Sequence, residues 1–392
     1  MTLARIIALS VLAHFALASA RLNGSLYALA NNASAFTVGV VVALFALVPM
    51  LIAVRTGRWL DTVGPFRPMS LGLSMMLGGT LLPAMFPYAV TDIGPLLVAS
   101  ALIGTGSLLV QLTAQHLIGH RADASNRAAH FSWLALGFSI SGFLGPVMTG
   151  AAIDLVGHRL TYLIMRAALL VALALLMQQR HTLPANGHRT QAAEPGSMFD
   201  LFRMPAVRDV LIATGLITMA WDLQSFLLPI HGTQVGLSAW EIGLVLGSFA
   251  AATFAIRAAM PWITRSFREW QVLTFTLVTA AIAFALMPLF SSLGPLLAVM
   301  FLLGLGVGAA QPNVMSLLHA RAPAGRVGEA LGLRVTIING SSVVLPLVFG
   351  AFGAVLGASL VFWLMAAVLG AGGIAAARRQ EDAVAHTTQE RR

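Results

Sequence analysis

The sequence predicts an all-α polytopic membrane protein, with twelve membrane-spanning helices arranged as two related six-helix bundles. Three observations predict it. First, the 392 residues are 58% hydrophobic and only 9% charged. A soluble chain carries roughly 25% charged residues to solvate its surface, so most of this surface must face lipid. Second, the apolar residues fall into twelve runs, each near the ~20 residues a helix needs to cross the hydrocarbon core. Third, the chain repeats itself at an offset of 200 residues.

The predicted spans cover approximately 5–29, 36–55, 69–86, 94–118, 128–153 and 160–178, then 207–229, 239–261, 271–289, 294–318, 328–351 and 357–377. Arginine placement orients them. All 23 basic residues are Arg, and with the N-terminus inside, 18 of them fall on inner loops and tails. Arg159 alone falls on an outer loop, and Arg21, Arg166, Arg257 and Arg334 lie within spans. The excess of positive charge on one side predicts that both termini are cytoplasmic, as in a multi-pass protein of the plasma (inner) membrane. The net charge of +9 therefore reflects membrane topology, not nucleic-acid binding.

The repeat divides the chain. "GPLL" occurs at 94–97 and again at 294–297; Gly104, Gly106, Gln111, Pro146, Gly150 and Gly157 meet Gly304, Gly306, Gln311, Pro346, Gly350 and Gly357. Six helices per half is an even number, so both halves insert the same way up. Parallel repeats of this kind are related by an axis along the membrane normal, with the substrate site between them near the midplane. The expected organisation is a bundle over 1–178, a cytoplasmic linker over 179–206, a second bundle over 207–378 and a cytoplasmic tail over 379–392. The linker begins polar and rich in Gly and Pro, as flexible connections are. It ends in "SMFDLFRM", which reads as a short interfacial helix.

Several chemistries have no residues to carry them. The chain has no Cys, hence no thiolate nucleophile or thiolate metal site. It has no G-x4-G-K-[ST] nucleotide loop and no H-E-x-x-H metal motif. A clustered catalytic constellation is also missing from the sequence. The expectation is a protein that is not an enzyme, carries no cofactor or metal, and draws on a gradient.

Twelve helices as 6+6 with a long cytoplasmic linker resemble the major facilitator superfamily, and two motifs carry the resemblance. "GRWLDTVGPFR" after span 2 is similar to the family's G-x-L-x-D-R-x-G-R-R loop, with Gly57, Asp61 and Gly64 in place and Arg58 and Arg67 nearby. The resemblance implies a cytoplasmic latch at Asp61, where a carboxylate is favoured by a helix N-terminus or an Arg. "GFSISGFLGPVMTG" in span 5 resembles an element of the proton-linked antiporter branch through Gly142, Gly145, Pro146 and Gly150. Small residues there let helices approach closely, and Pro permits a bend; plain helix packing explains the same residues. The position of that branch's helix 4 Arg is Ser100, so any proton-coupling group lies elsewhere.

Arg21 is the first candidate. Ala18-Ser19-Ala20 just before it looks like a signal-peptidase site, but cleavage there would leave eleven spans and break the repeat. Retained in the bilayer, Arg21 carries a cost of at least ~2.5–3.5 kcal/mol at the centre and needs a partner or a wet cavity. Position 21 maps onto 221 in the other half, where Trp221 and Asp222 stand. In the family, helices 1, 4, 7 and 10 line the central cavity, which by resemblance places Arg21 and Asp222 across it. Their pairing could switch with the transport cycle and carry a proton, or could be a static ion pair. His14, two turns before Arg21, could relay protons or simply be satisfied by a backbone carbonyl.

The remaining candidates for the cavity are Tyr27, Trp133 and Trp221 as aromatics, Thr218 and Ser225 on the face of Asp222, and the amides Gln111, Gln115, Gln311, Asn313 and Asn339. Amides inside membranes also bridge helices, at ~0.6–2 kcal/mol each. Arg257 is read as an interfacial or latch residue, Arg334 as close to the cytoplasmic end, and Arg166 as snorkelling outward. The expected function is a secondary active transporter working by alternating access, with proton-coupled efflux of a small organic compound as the first reading. The alternative is proton-linked uptake of an organic anion or metabolite, and a non-transporting receptor is the remote one. The expected partners are a small-molecule substrate and the lipid bilayer, no nucleic acid, and no second subunit.

Overall fold

In hydrocarbon no water is available to pair with backbone N–H and C=O groups, so an apolar run must satisfy them internally as a helix. In a computed structural model of the chain, residues 3–86, 93–121, 127–180, 198–323 and 327–389 are described, and their regular structure is helical throughout. The first helices are α1 (Leu3–Ala30), α2 (Ala35–Val63), α3 (Phe66–Met85) and α4 (Gly94–Arg121). Helical hydrogen bonding then runs over Arg127–Gln178, which if straight would extend about 78 Å, far beyond a ~30 Å hydrocarbon core. Gly157, at φ 78° and ψ 170°, breaks it into α5 (127–156) and α6 (158–178).

The short helix expected at the end of the linker is present as Met198–Arg203. It is followed by α7 (Pro205–Gln234), α8 (Ala239–Ser266), α9 (Glu269–Leu286), α10 (Leu293–Arg321), α11 (Val327–Leu356) and α12 (Ala358–Gln389). Eleven helical runs among the described residues are long and apolar enough to cross a membrane; the break at Gly157 turns the 46-residue one into two, giving the expected twelve.

Helices outlast their apolar runs. The stretch Gly57–Arg67, expected as a loop, is helical up to Val63, and the turn is confined to Gly64 (φ 72°) and Pro65. Nothing before Gly64 forces an end: Gly57 alone is tolerated inside a helix, whereas a positive-φ glycine followed by Pro is a strong stop. The side chains of Arg58 and Asp61, and the burial of Gly57, lie outside the described residues; Arg67 is exposed at the start of α3.

The chain forms two compact units, Met1–Ala192 with Leu228–Gly247, and Ala193–Leu227 with Ser248–Arg392. In the first, α1 packs along α5, and α4 packs against α2 and α3. In the second, α9 packs against α10 and α12. The same device builds both. A Cβ on Gly104 would sit 2.2 Å from the carbonyl oxygen of Phe45 in α2, and one on Gly304 would sit 2.3 Å from that of Phe249 in α8. Gly106 likewise faces the Gly72 carbonyl in α3, while Gly306 faces Thr276 and Thr279 in α9. Gly157 and Gly357, 200 residues apart, both have positive φ, at 78° and 83°, a conformation that costs L side chains energy. The sequence repeat is therefore a repeat of backbone contacts and turns.

The span 5 motif divides in two. Gly145 lies against Ala18 of α1, with its carbonyl accepting from Ser19, and Gly150 lies against the Ala239 carbonyl at the start of α8. Gly142 meets nothing within 4 Å, so close approach does not explain it. Arg166 does not snorkel: its Nη1 donates to the Leu77 carbonyl of α3 at 2.7 Å.

These contacts predict an asymmetry among glycines. Gly304→Ala and Gly104→Ala force backbone apart and are expected to cost about 1–3 kcal/mol; Gly142→Ala is expected to change stability by no more than about 0.5 kcal/mol. Thermal unfolding of the purified variants measures the difference, and equal effects at the three positions would contradict the packing described.

Candidate functional site

Segments of four helices that belong to the second unit line a cavity of about 300 Å³. From α7 come Thr214, Ile217, Thr218, Trp221 and Asp222; from α8, Arg257; from α10, Val307, Ala310, Gln311 and Val314; from α11, Arg334 and Ile338. The periodicity of α7 explains its share. Residues 214, 218 and 221 or 222 recur at three- to four-residue intervals, one face of an α-helix.

Asp222 is the acid of this cavity and is only 5% exposed. Its Oδ2 accepts a hydrogen bond of 2.6 Å from Ser342 Oγ on α11. The same hydroxyl lies 3.2 Å from the Ile338 carbonyl, one turn earlier on its own helix. Arg257 Nη2 donates to Gln311 Oε1 at 3.4 Å, and its guanidinium carbon sits 5.8 Å from the Trp221 ring centroid, within cation–π range. Trp221 is held in turn by an edge contact with Phe249, at 5.0 Å between centroids. Arg334 also lines the cavity, and its Nε is buried without a hydrogen-bond partner. A buried donor left unpaired costs about 1–3 kcal/mol, so its guanidinium is poised for an acceptor.

Of the sequence-predicted residues, the structure thus gathers Thr218, Trp221, Asp222 and Gln311. Ser225, expected on the same face, turns back to donate to the Asp222 backbone carbonyl. Asn313 is buried and donates to the Ala309 carbonyl within its own helix. Asn339 is half-buried and is not among the described residues lining this cavity. Sequence reasoning placed Arg257 and Arg334 elsewhere, and both are cavity residues. The signal was available: each is an arginine inside an apolar run, the feature that singled out Arg21.

The other candidates belong to the first unit. His14 Nδ1 is paired with Ser141 Oγ at 2.7 Å, not with a backbone carbonyl, and its ring lies 4.8 Å from that of Phe138. Tyr27 stacks on His158 with ring centroids 5.0 Å apart, beside the break at Gly157. It lines a separate cavity with Arg159 and Leu163. Gln111 donates to Ser107 one turn back on α4, Gln115 is exposed, and Trp133 is 59% exposed. Arg21 is half-buried and its carbonyl accepts from Ser25. Arg21 and Asp222 fall in different units.

The sequence profile described as "Major Facilitator Superfamily" matches residues 6–333 and 210–392, two overlapping ranges that together cover nearly the whole chain. The chain is 22% identical over 268 residues to the uncharacterized MFS-type transporter YuxJ of Bacillus subtilis (strain 168), covering 66% of this chain and 68% of that one. It is 26% identical over 337 residues to the class D tetracycline resistance protein of Salmonella ordonez, covering 79% and 78%. Among solved structures, a POT family transporter in complex with a thioalcohol-conjugated peptide superposes with a TM-score of 0.80 at 12% identity, over 97% of this chain and 96% of the other. Twelve spans, a backbone-level repeat and a profile match from end to end agree: this chain is a membrane transporter of the Major Facilitator Superfamily.

Proposed function

We propose that the chain is a proton-coupled secondary transporter that exports a small organic compound, with Asp222 as the group that loads and releases the proton. One observation carries the coupling: the Ser342 hydroxyl stands between the Asp222 carboxylate at 2.6 Å and the Ile338 carbonyl at 3.2 Å. With Asp222 ionised, Ser342 donates to it. With Asp222 protonated, the carboxyl donates to Ser342, which donates onward to Ile338. Both protonation states keep their hydrogen bonds, so neither leaves the unpaired buried polar group that would otherwise be heavily penalised.

Export is supported by the similarity to tetracycline resistance proteins, since a membrane transporter protects a cell by moving a compound outward, and by the resemblance of Gly145–Gly150 to the antiporter element. The arginine distribution supports cytoplasmic termini in a plasma membrane. The protein is read as a monomer that uses the proton gradient and no bound cofactor. A second reading, proton-linked uptake of an organic anion, is favoured by Arg257 and Arg334 lining the same cavity.

Everted and right-side-out membrane vesicles, with the pH gradient imposed in each direction and labelled tetracycline and benzoate as probes, separate the directions. Accumulation in everted vesicles with an acidic lumen is the result expected for export; accumulation in right-side-out vesicles as protons enter marks uptake. Asp222→Asn is expected to lose gradient-driven accumulation at least about tenfold, because one uncompensated step of ~1.4 kcal/mol already corresponds to that factor. Gradient dependence unchanged in this variant would remove Asp222 from the coupling scheme. Ser342→Ala is expected to shift the pH at which transport is half-maximal while leaving coupling intact.

A further inference from the structure

A groove lies where α8, α9 and α10 of the second unit meet. One wall is a single face of α8, with Ile256 and Ile263, continued by Phe267 just past its end. The other wall is the start of α9, with Gln271 and Phe275, and Ala309 of α10 stands at the back. Phe267 and Phe275 are 56% and 52% exposed, and exposed apolar walls of this kind mark a contact with membrane or partner. The groove measures about 400 Å³, within the roughly 300–1,000 Å³ of ligand cavities. From Ile256 to Phe267 it runs about 16 Å along α8 at 1.5 Å per residue, the proportions of a slot.

The repeat shows why the slot is open. Ala309 and Val272 correspond to Leu109 and Gly72. In the first unit a Cβ on Gly72 would lie 2.6 Å from the Gly106 carbonyl oxygen and 3.0 Å from the Leu109 Cβ, so α3 and α4 close on each other. In the second unit Val272 stands where that glycine was, and Ala309 is too short to fill the space that results. Met260, Val272 and Ala309 form the buried floor, with Ile256 and Ile263 packed against it. The slot ends where α8 meets α10, since a Cβ on Gly308 would lie 2.7 Å from Ile256 Cγ2.

The polar groups stand at the other end. Arg268 follows Phe267 and is exposed. Its backbone N–H donates to Gln271 Oε1 at 2.8 Å, which commits the amide oxygen and leaves the amide NH2 to donate. The turn 264–270 carries two arginines, Arg265 and Arg268, against one acid, Glu269. Trp262, 67% exposed, lies just before it, as aromatic residues do at a membrane interface. The arginine distribution assigns this end to the cytoplasm, where the leaflet carries anionic lipids that attract basic side chains.

We propose that the groove binds an anionic glycerophospholipid of the cytoplasmic leaflet, with one acyl chain between α8 and α9 over Ala309 and the headgroup phosphate on Arg268 and the Gln271 amide. A neutral apolar solute fills the slot and leaves the donors unused. A free phosphate uses the donors and leaves the slot empty. An anionic amphiphile with a long chain matches both parts. The proposal is independent of the transported solute and of the direction of transport.

The test uses the full-length protein purified in detergent, with phosphatidylglycerol and phosphatidylcholine of identical chains, followed by thermal unfolding and native mass spectrometry. Phosphatidylglycerol is expected to stabilise saturably and to be retained as an adduct. Phosphatidylcholine is expected to bind about fivefold more weakly, the factor for one basic side chain near an anionic surface, and glycerol phosphate without chains to have no effect. Arg268→Gln is expected to lower phosphatidylglycerol binding to the phosphatidylcholine level. Ala309→Leu, which copies the first unit, is expected to remove the adduct. Phosphatidylglycerol with a photoactivatable acyl chain is expected to label the 256–275 segment; this labelling needs no variant and stands if a variant fails to fold. Equal binding of the two lipids, an adduct that survives Ala309→Leu, or labelling confined to other segments would overturn the proposal. So would stabilisation by glycerol phosphate alone, or a dimer that takes up no lipid, which would assign this face to a second copy of the chain.

Discussion

Everything in this molecule is arranged around a medium that will not solvate charge. A guanidinium or carboxylate in the hydrocarbon core must find a protein partner or an aqueous cavity, and the chain places few such groups there. Three of them, Asp222, Arg257 and Arg334, line one cavity of the second unit, although they come from three helices separated by up to 112 residues of sequence. The surrounding structure reads as support for that convergence. Ser342 holds the carboxylate, Gln311 and Trp221 hold one guanidinium, and Phe249 holds Trp221.

The support requires helices close enough for short side chains to reach across. Glycine supplies that closeness at Gly304, where a methyl group would collide with the Phe249 carbonyl of α8, the helix that carries Arg257. Its counterpart Gly104 does the same against α2. Without a hydrophobic driving force between helices in lipid, such van der Waals contact is a main source of their association. Packing and site are thus parts of one construction: α8 docks on α10 through Gly304 and Gly308 against Phe249 and Thr253, and from the next turn Arg257 reaches Gln311 of α10.

The two halves share a scaffold and differ in what they hang on it. Positions 104, 106, 157 and their partners 304, 306, 357 do matching backbone work. The polar residues do not match. The first unit pairs His14 with Ser141 and Asn23 with His158, uncharged contacts between α1 and the α5–α6 segment. The second concentrates the ionisable cluster. A duplicated fold that keeps its glycines and diversifies its polar residues can hold two frames alike and give one of them the charge chemistry.

Helix number, the repeat and the membrane class were legible in the sequence because each follows from local composition: apolar run length sets a span, and glycine spacing at one offset sets the repeat. The isolation of Asp222 as an acid within an apolar helix was legible for the same reason. Helix ends were less so, since α2 continues to Val63 past its apolar run, and hydropathy reports lipid rather than hydrogen bonding. What only the tertiary structure decided is which polar residues share a space. Nothing in the order of the chain says that Arg257 and Arg334 line the cavity of Asp222, that Ser342 rather than Ser225 donates to its carboxylate, or that Asn313 spends its amide on its own helix. Those depend on the rotation and crossing of α7, α8, α10 and α11 about one another, which long-range packing fixes and local sequence does not.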